Sequence, residues 1–315
     1  MGGLGGGGGA AGSGRGGLGT GNAGTGGVLG GGGSGAGGGF GGSTGSQTPD
    51  WTYNSPMDPA QKRAAFNALA VAARDQHSPS DAKRIAKRDQ MLGYVRGPWE
   101  QLEDDDSTRY DTLKQAMDDA MSKILSQAQV VHRTKHLDKL LDSGRISSLF
   151  EVGFSAGGDT PGQRALYEEA WFGKGHVPPV YSALEFDGVK PKGMSMYGST
   201  KLYLKPEVRD RVTVTIGDSL MSSDSVFPGK PGDGLGLWAN PNAIKNLVDP
   251  NKSREENMQA IYESFKKYAE SNFIESQIHD GVILEDIEKV VFTQPPSSFL
   301  TDKLDKLGIP WEVES

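Results

Sequence analysis

Two short segments hold the residue types best suited to chemistry. They are Val131-His132-Arg133-Thr134-Lys135 and Phe273-Ile274-Glu275-Ser276-Gln277-Ile278-His279. The first reads as a strand that ends in His-x-Thr and runs into a short Leu-rich helix stopped by Gly144. The second reads as a strand whose two-residue period puts Glu275, Gln277 and His279 on one face. An imidazole, a hydroxyl and a fixed carboxylate are tools for binding a polar ligand and steadying developing charge. Polar side chains at every second residue are equally the pattern of a solvated face on an edge strand. His132 and His136 have the spacing of one helical face, but Arg133 stands where a zinc protease carries Glu. No third ligand is apparent, so a metal site is not expected.

Gly217-Asp218-Ser219-Leu220 also follows a strand, and there it resembles the nucleophile block of the GDSL esterases. That resemblance is thin: only 95 residues follow Leu220, and none of the five histidines has Asp three residues before it. A strand-ending turn is the better reading. Gly229–Gly236 is rich in glycine but lacks the Gly-Lys-Ser/Thr and the following helix of a phosphate loop. It reads as a mobile loop.

The elements that must position these residues are legible from periodicity and caps. Asp58-Pro59 starts a helix, with a capping carboxylate followed by Pro at the first helical position, and the Ala-rich run continues to about Arg74. Ser80 caps a second helix to about Val95. A third follows the acidic run Glu103–Asp106, with Tyr110, Leu113, Met117, Ala120 and Ile124 forming one apolar stripe. Strands are expected at Gln129–Thr134, Val180–Phe186, Thr200–Lys205, Arg211–Ile216, Phe273–His279 and Ile287–Phe292. Helices are expected at His136–Ser143, Arg254–Glu270 and Ser298–Leu307, with a terminal extended segment, Ile309–Val313. The pattern is α+β with antiparallel pairing rather than repeated βαβ units.

Composition sets the outer limits. Of the 46 glycines, 27 fall within residues 1–50, a segment with one aromatic, Phe40, and one charge of each sign, Arg15 and Asp50. Such a segment buries too little apolar surface to offset its ordering entropy and reads as a disordered tail. Residues 51–127 then read as a small helical subdomain and 128–315 as the catalytic domain. The net charge of −7 lies wholly after residue 50 and argues against a nucleic-acid or anionic-membrane partner. No apolar run approaches the roughly 18 residues of a membrane span. With no cysteine, disulfides, thiolate zinc sites and thiol nucleophiles are excluded.

Val131-His132-Arg133-Thr134-Lys135 through Gly144-Arg145-Ile146 resembles the first motif of the ADP-ribosyltransferases of the diphtheria-toxin and poly-ADP-ribose-polymerase branch. Further blocks resemble a bacterial domain family of the same superfamily. They are Phe150-Glu151-Val152-Gly153-Phe154-Ser155, Tyr181-Ser182-Ala183-Leu184, Tyr197-Gly198-Ser199 with Leu204-Lys205-Pro206, Gly217-Asp218-Ser219, and Ile274–His279 with Leu284–Glu288. The resemblance implies a split antiparallel β-sandwich with NAD, as substrate, in a cleft between two small sheets. It implies that His132 binds the adenosine ribose and the backbone of Arg133 the nicotinamide amide, with Thr134 completing the motif. Tyr181 or Tyr197 would stack on the nicotinamide, and Ser199-Thr200 occupies the place of the second-strand Ser-Thr-Ser. Glu275 would bind the nicotinamide ribose and stabilise the oxocarbenium ion. Gln277 is a departure, since it stands where the Glu-x-Glu branch has its catalytic carboxylate. The implied function is a mono-ADP-ribosyltransferase, a glycosyltransferase of toxin or effector type. It would be secreted, monomeric and active in a target cell's cytosol on a host or competitor protein, with ubiquitin one candidate acceptor. An NAD glycohydrolase and a non-catalytic partner-binding module are the alternatives.

Overall fold

The structure is a computed structural model that describes residues 57–153, 160–219 and 241–314. The glycine-rich tail, Phe154-Ser155, Leu220 and the Gly229–Gly236 loop lie outside the described residues. Helix α1 (Pro59–Asp75) starts in a capping box: Asp58 accepts from the Gln61 backbone N–H and the Gln61 side chain reaches back to Asp58 N. Helix α2 (Asp81–Asp105) runs past the expected end near Val95 and straight through Pro98. Met91, Val95, Trp99 and Leu102 form one buried stripe, so packing carries the helix across the backbone hydrogen bond that Pro98 removes. Helix α3 (Ser107–Gln127) buries Leu113, Met117, Ala120 and Ile124, the stripe expected from its spacing.

Strand β1 (Gln129–Thr134) follows directly, then α4 (Leu137–Ser143), which ends at Gly144 with φ 76°. Two helices come next, α5 (Leu149–Val152) and α6 (Pro161–Phe172). The remaining elements are β2 (Val180–Glu185), β3 (Thr200–Leu204), β4 (Val212–Ile216), α7 (Arg254–Ser271), β5 (Ile274–Ile278), β6 (Ile287–Phe292), α8 (Ser298–Leu307) and β7 (Trp311–Val313). Sequence periodicity gave no warning of α6, although Thr160-Pro161 carries the same cap-and-proline signal as Asp58-Pro59.

The seven strands form one hydrogen-bonded sheet in the order β4-β5-β2-β1-β3-β6-β7, antiparallel except for the β6–β7 pair. The expected division into two separate sheets is therefore replaced by a continuous sheet, and the chain is mixed α and β. One face carries Val130, Leu184, Leu202, Val214, Ile216, Ile274 and Ile278. These share a single apolar core with α3 and α7 through residues such as Ile124, Ile261 and Phe265. The sheet and α3 thus have one core in common, and the change at residue 128 is one of element type. Each of these side chains, buried from an exposed state, contributes about 2 kcal/mol. The opposite face carries Tyr181, Glu275, Gln277, Thr213 and Thr215 along with Val131 and Ala183, and side chains of α6 meet it at Tyr181 and His279.

Candidate functional site

The site begins where β1 changes partners. Its first half pairs with β2, Gln129 to Val131 against Glu185 to Ala183, and its second half pairs with β3, Val131 to Thr134 against Tyr203 to Thr200. From His132 onward β1 has no ladder with β2, and the strands part. The His132 ring fills the place of the missing ladder: Nδ1 lies 2.9 Å from the Tyr181 carbonyl oxygen. A carbonyl only accepts, so Nδ1 carries the proton, and burial lowers the pKa and keeps the ring neutral. Nε2 is left as an acceptor.

Beside this gap, β2, β5 and β4 present one polar face. Tyr181 pairs with Gln277 and Ala183 with Glu275, while Thr213 and Thr215 pair with Gln277 and Glu275 from the other side. Strand β5 lies between two neighbours, and Gln277 is fully buried. The solvated edge strand that the alternation also allowed is thereby ruled out. Gln277 ties the face together. Its amide nitrogen donates to Glu275 Oε1 at 2.7 Å and to Thr215 Oγ1 at 3.0 Å. Its amide oxygen accepts from the Thr213 hydroxyl at 2.8 Å, and Thr213 Oγ1 lies 3.1 Å from His279 Nε2. The Thr213 proton is committed to Gln277, so His279 donates here; burial pushes its pKa down to about 4.

Glu275 is the chemically unusual group. It is 5% exposed, and its Oε1 also accepts from the Ser219 backbone N–H at 3.3 Å. Burial first, and the Asp218 carboxylate second, push its pKa up to about 7, against the pull of Arg164, Ser219 and Gln277. Asp218 is half-buried in the turn after β4, and its Oδ2 lies 3.4 Å from the Tyr197 hydroxyl.

Helix α6 closes over this face. Arg164 lies with its guanidinium carbon 4.2 Å from the Tyr181 ring centroid, and the Tyr181 hydroxyl donates to Glu168 at 2.8 Å. The second Glu168 oxygen lies 3.2 Å from His176 Nε2. Burial and the Glu168 carboxylate together hold the Tyr181 phenol well above its usual range. At the far end of the helix, the Phe172 ring meets His279 edge-on at 4.9 Å.

The residues singled out from sequence divide accordingly. Tyr181, Tyr197, Glu275 and Gln277 come together, whereas His132 pairs with Leu202 on the other face of the sheet and meets them through the Tyr181 backbone carbonyl. Arg133 and Thr134 lie on the stretch of β1 paired with β3, and Thr134 Oγ1 accepts from His136 N at 2.9 Å. Ser199 is exposed at the entry to β3, apart from this cluster. Ser219 is fully buried and engages Glu275 through its backbone; among the described residues no histidine hydrogen-bonds its hydroxyl, as an esterase nucleophile would require. Arg164, Glu168, Asp218 and Thr213 are site residues that sequence reasoning did not assign. The i,i+4 spacing of Arg164 and Glu168 after the Thr160-Pro161 cap was the available signal.

No family model matches the chain. It is similar to the Gene 2 protein of Mycobacterium phage L5, 63% identical over 260 residues that make up 82% of this chain and 99% of that protein. Among the described residues no helix is long and apolar enough to cross a membrane.

Proposed function

The chain belongs to the same family as the Gene 2 protein of Mycobacterium phage L5, and from the geometry of its site we propose that it is an NAD-dependent protein mono-ADP-ribosyltransferase. The observation that supports the reading is the parting of β1 from β2 at His132, whose ring holds the Tyr181 carbonyl oxygen, next to the β2–β5 face that carries Tyr181 and Glu275.

The donor set suits NAD. His132 Nε2 is free in tautomer to accept from a ribose hydroxyl, and Arg133, whose backbone is assigned to the nicotinamide amide, follows it on β1. Tyr181 and Tyr197 are the two half-buried rings whose hydroxyls feel the Glu275 charge. As the nicotinamide–ribose bond breaks, its electron pair leaves with nicotinamide and positive charge develops on the ribose. Glu275 is fixed by Ser219 and Gln277, both neutral donors, so its ionised form has charge available for that cation. On this reading Gln277, which donates to Glu275, serves by orienting that carboxylate. Because the relative is a phage protein, bacterial proteins are the acceptors to search first.

The test is incubation of the full chain with radiolabelled NAD and a mycobacterial lysate. A labelled protein band that Glu275→Gln abolishes supports transfer. Free ADP-ribose without labelled protein would assign a glycohydrolase, and unaltered NAD would refute both.

A further inference from the structure

Transfer to a hydroxyl, amine or guanidinium requires that the acceptor lose a proton, and the groups already assigned do not take it. Glu275 is buried, with one oxygen engaged by Ser219 and Gln277. The Gln277 amide has no useful basicity. Both Glu168 oxygens are occupied, by Tyr181 and His176. His279 points its Nε2 at Thr213, and burial makes His132 a weak base.

Asp218 is itself hydrogen-bonded, to Tyr197, but its setting is more open. It is half-buried rather than enclosed, it immediately precedes the Ser219 N–H that touches Glu275, and its Oδ2 faces the Tyr197 hydroxyl. We propose that Asp218 is a catalytic base for the acceptor, an assignment that rests on the transferase reading. The acceptor heteroatom forms its bond to the ribose C1 as the bond to nicotinamide breaks. Its proton passes to the Asp218 carboxylate and from there to solvent, so charge and atoms balance. Supporting this placement, the Asp218 charge reaches the whole cluster: it helps raise Glu275, Tyr197 and Tyr268. Two carboxylates in unlike surroundings divide the labour, the buried one steadying the cation and the more open one taking the proton. The substrate class follows. Acceptors are O–H or N–H nucleophiles, since a carboxylate acceptor has no proton to give up.

The test compares wild type, Asp218→Asn and Glu275→Gln as full chains, with labelled NAD and a mycobacterial lysate as the acceptor pool. Labelled protein and, in parallel without lysate, released nicotinamide are measured. Asp218→Asn is expected to lose about 100-fold in transfer and distinctly less in nicotinamide release, so that the ratio of transfer to release falls, as removal of a general base predicts. Glu275→Gln loses both. Formate restores transfer to Asp218→Ala, a readout that a merely structural role would not move. The wild-type label resists brief neutral hydroxylamine, unlike a carboxylate ester. Transfer at the wild-type rate in Asp218→Asn overturns the assignment, as does joint loss of transfer and release in that variant without formate rescue. A wild type that neither transfers nor cleaves NAD refutes the transferase reading and the base with it. One that cleaves without labelling protein refutes the base and leaves a glycohydrolase.

Discussion

Replacing Glu275 with Gln should make the protein more stable in alkali while destroying its chemistry. A carboxyl that titrates at about 4.5 in the unfolded chain and about 7 in the fold binds its proton more tightly when folded. Its stabilising effect is therefore complete below pH 4.5 and is lost as pH rises through 7, because above that the fold must hold a buried anion. At 1.36 kcal/mol per pH unit, the gap is worth about 3 kcal/mol. Wild type alone would not reveal it. His279, whose pKa falls to about 4, adds stability as pH rises from about 4 to 6.5, and the two slopes oppose each other. The difference between Glu275→Gln and wild type removes the histidine contribution. Urea unfolding at pH 5 and at pH 8 is expected to show the variant's advantage growing by about 2–3 kcal/mol between the two. An advantage that stays constant with pH would refute the argument that this carboxyl is desolvated in the fold.

Two further substitutions probe how the site is held. Gly198 is buried with φ +152°, and an added Cβ would overlap the Thr134 carbonyl at the end of β1. Gly198→Ala should lower the melting temperature far more than Gly144→Ala, where φ is +76° but the space is open and a cost of about 1 kcal/mol is expected. Asp286 accepts from Arg63 at 2.7 Å, Arg211 at 2.8 Å and the Ile283 N–H at 2.9 Å, tying α1 to the strand ends. Asp286→Ala leaves Arg211 without its carboxylate and should cost about 3 kcal/mol in urea unfolding, with a cost near zero refuting the pairing.

Much of this architecture was readable because its elements are amphipathic and well capped. The α3 stripe, the α7 face and the β1 and β6 bounds follow from spacing alone, since each buries one side against one core. The second helix runs on beyond Val95 because tertiary packing of Trp99 and Leu102 outweighs the single hydrogen bond lost at Pro98. Strand order was not readable: local alternation says which residues share a face but not that β5 sits between β4 and β2. For the same reason Glu275 and Gln277 could be paired from sequence, yet their burial could not be distinguished from solvation. Arg164 and Glu168 escaped notice because they reach the site from a helix some hundred residues before β5, a contact that periodicity does not encode.

The Arg164 guanidinium has a further consequence. A flat cation resting on Tyr181 is a built-in competitor for whatever ring approaches that face of the phenol. A cation–π contact of about 1 kcal/mol would weaken an incoming ring roughly fivefold, so affinity measured at this site is net of an eviction. Guanidinium chloride is for the same reason the wrong reagent with which to study ligand binding here. At concentrations too low to unfold the chain it would mimic the resident side chain and occupy the position the ligand needs, whereas urea, being uncharged, would not.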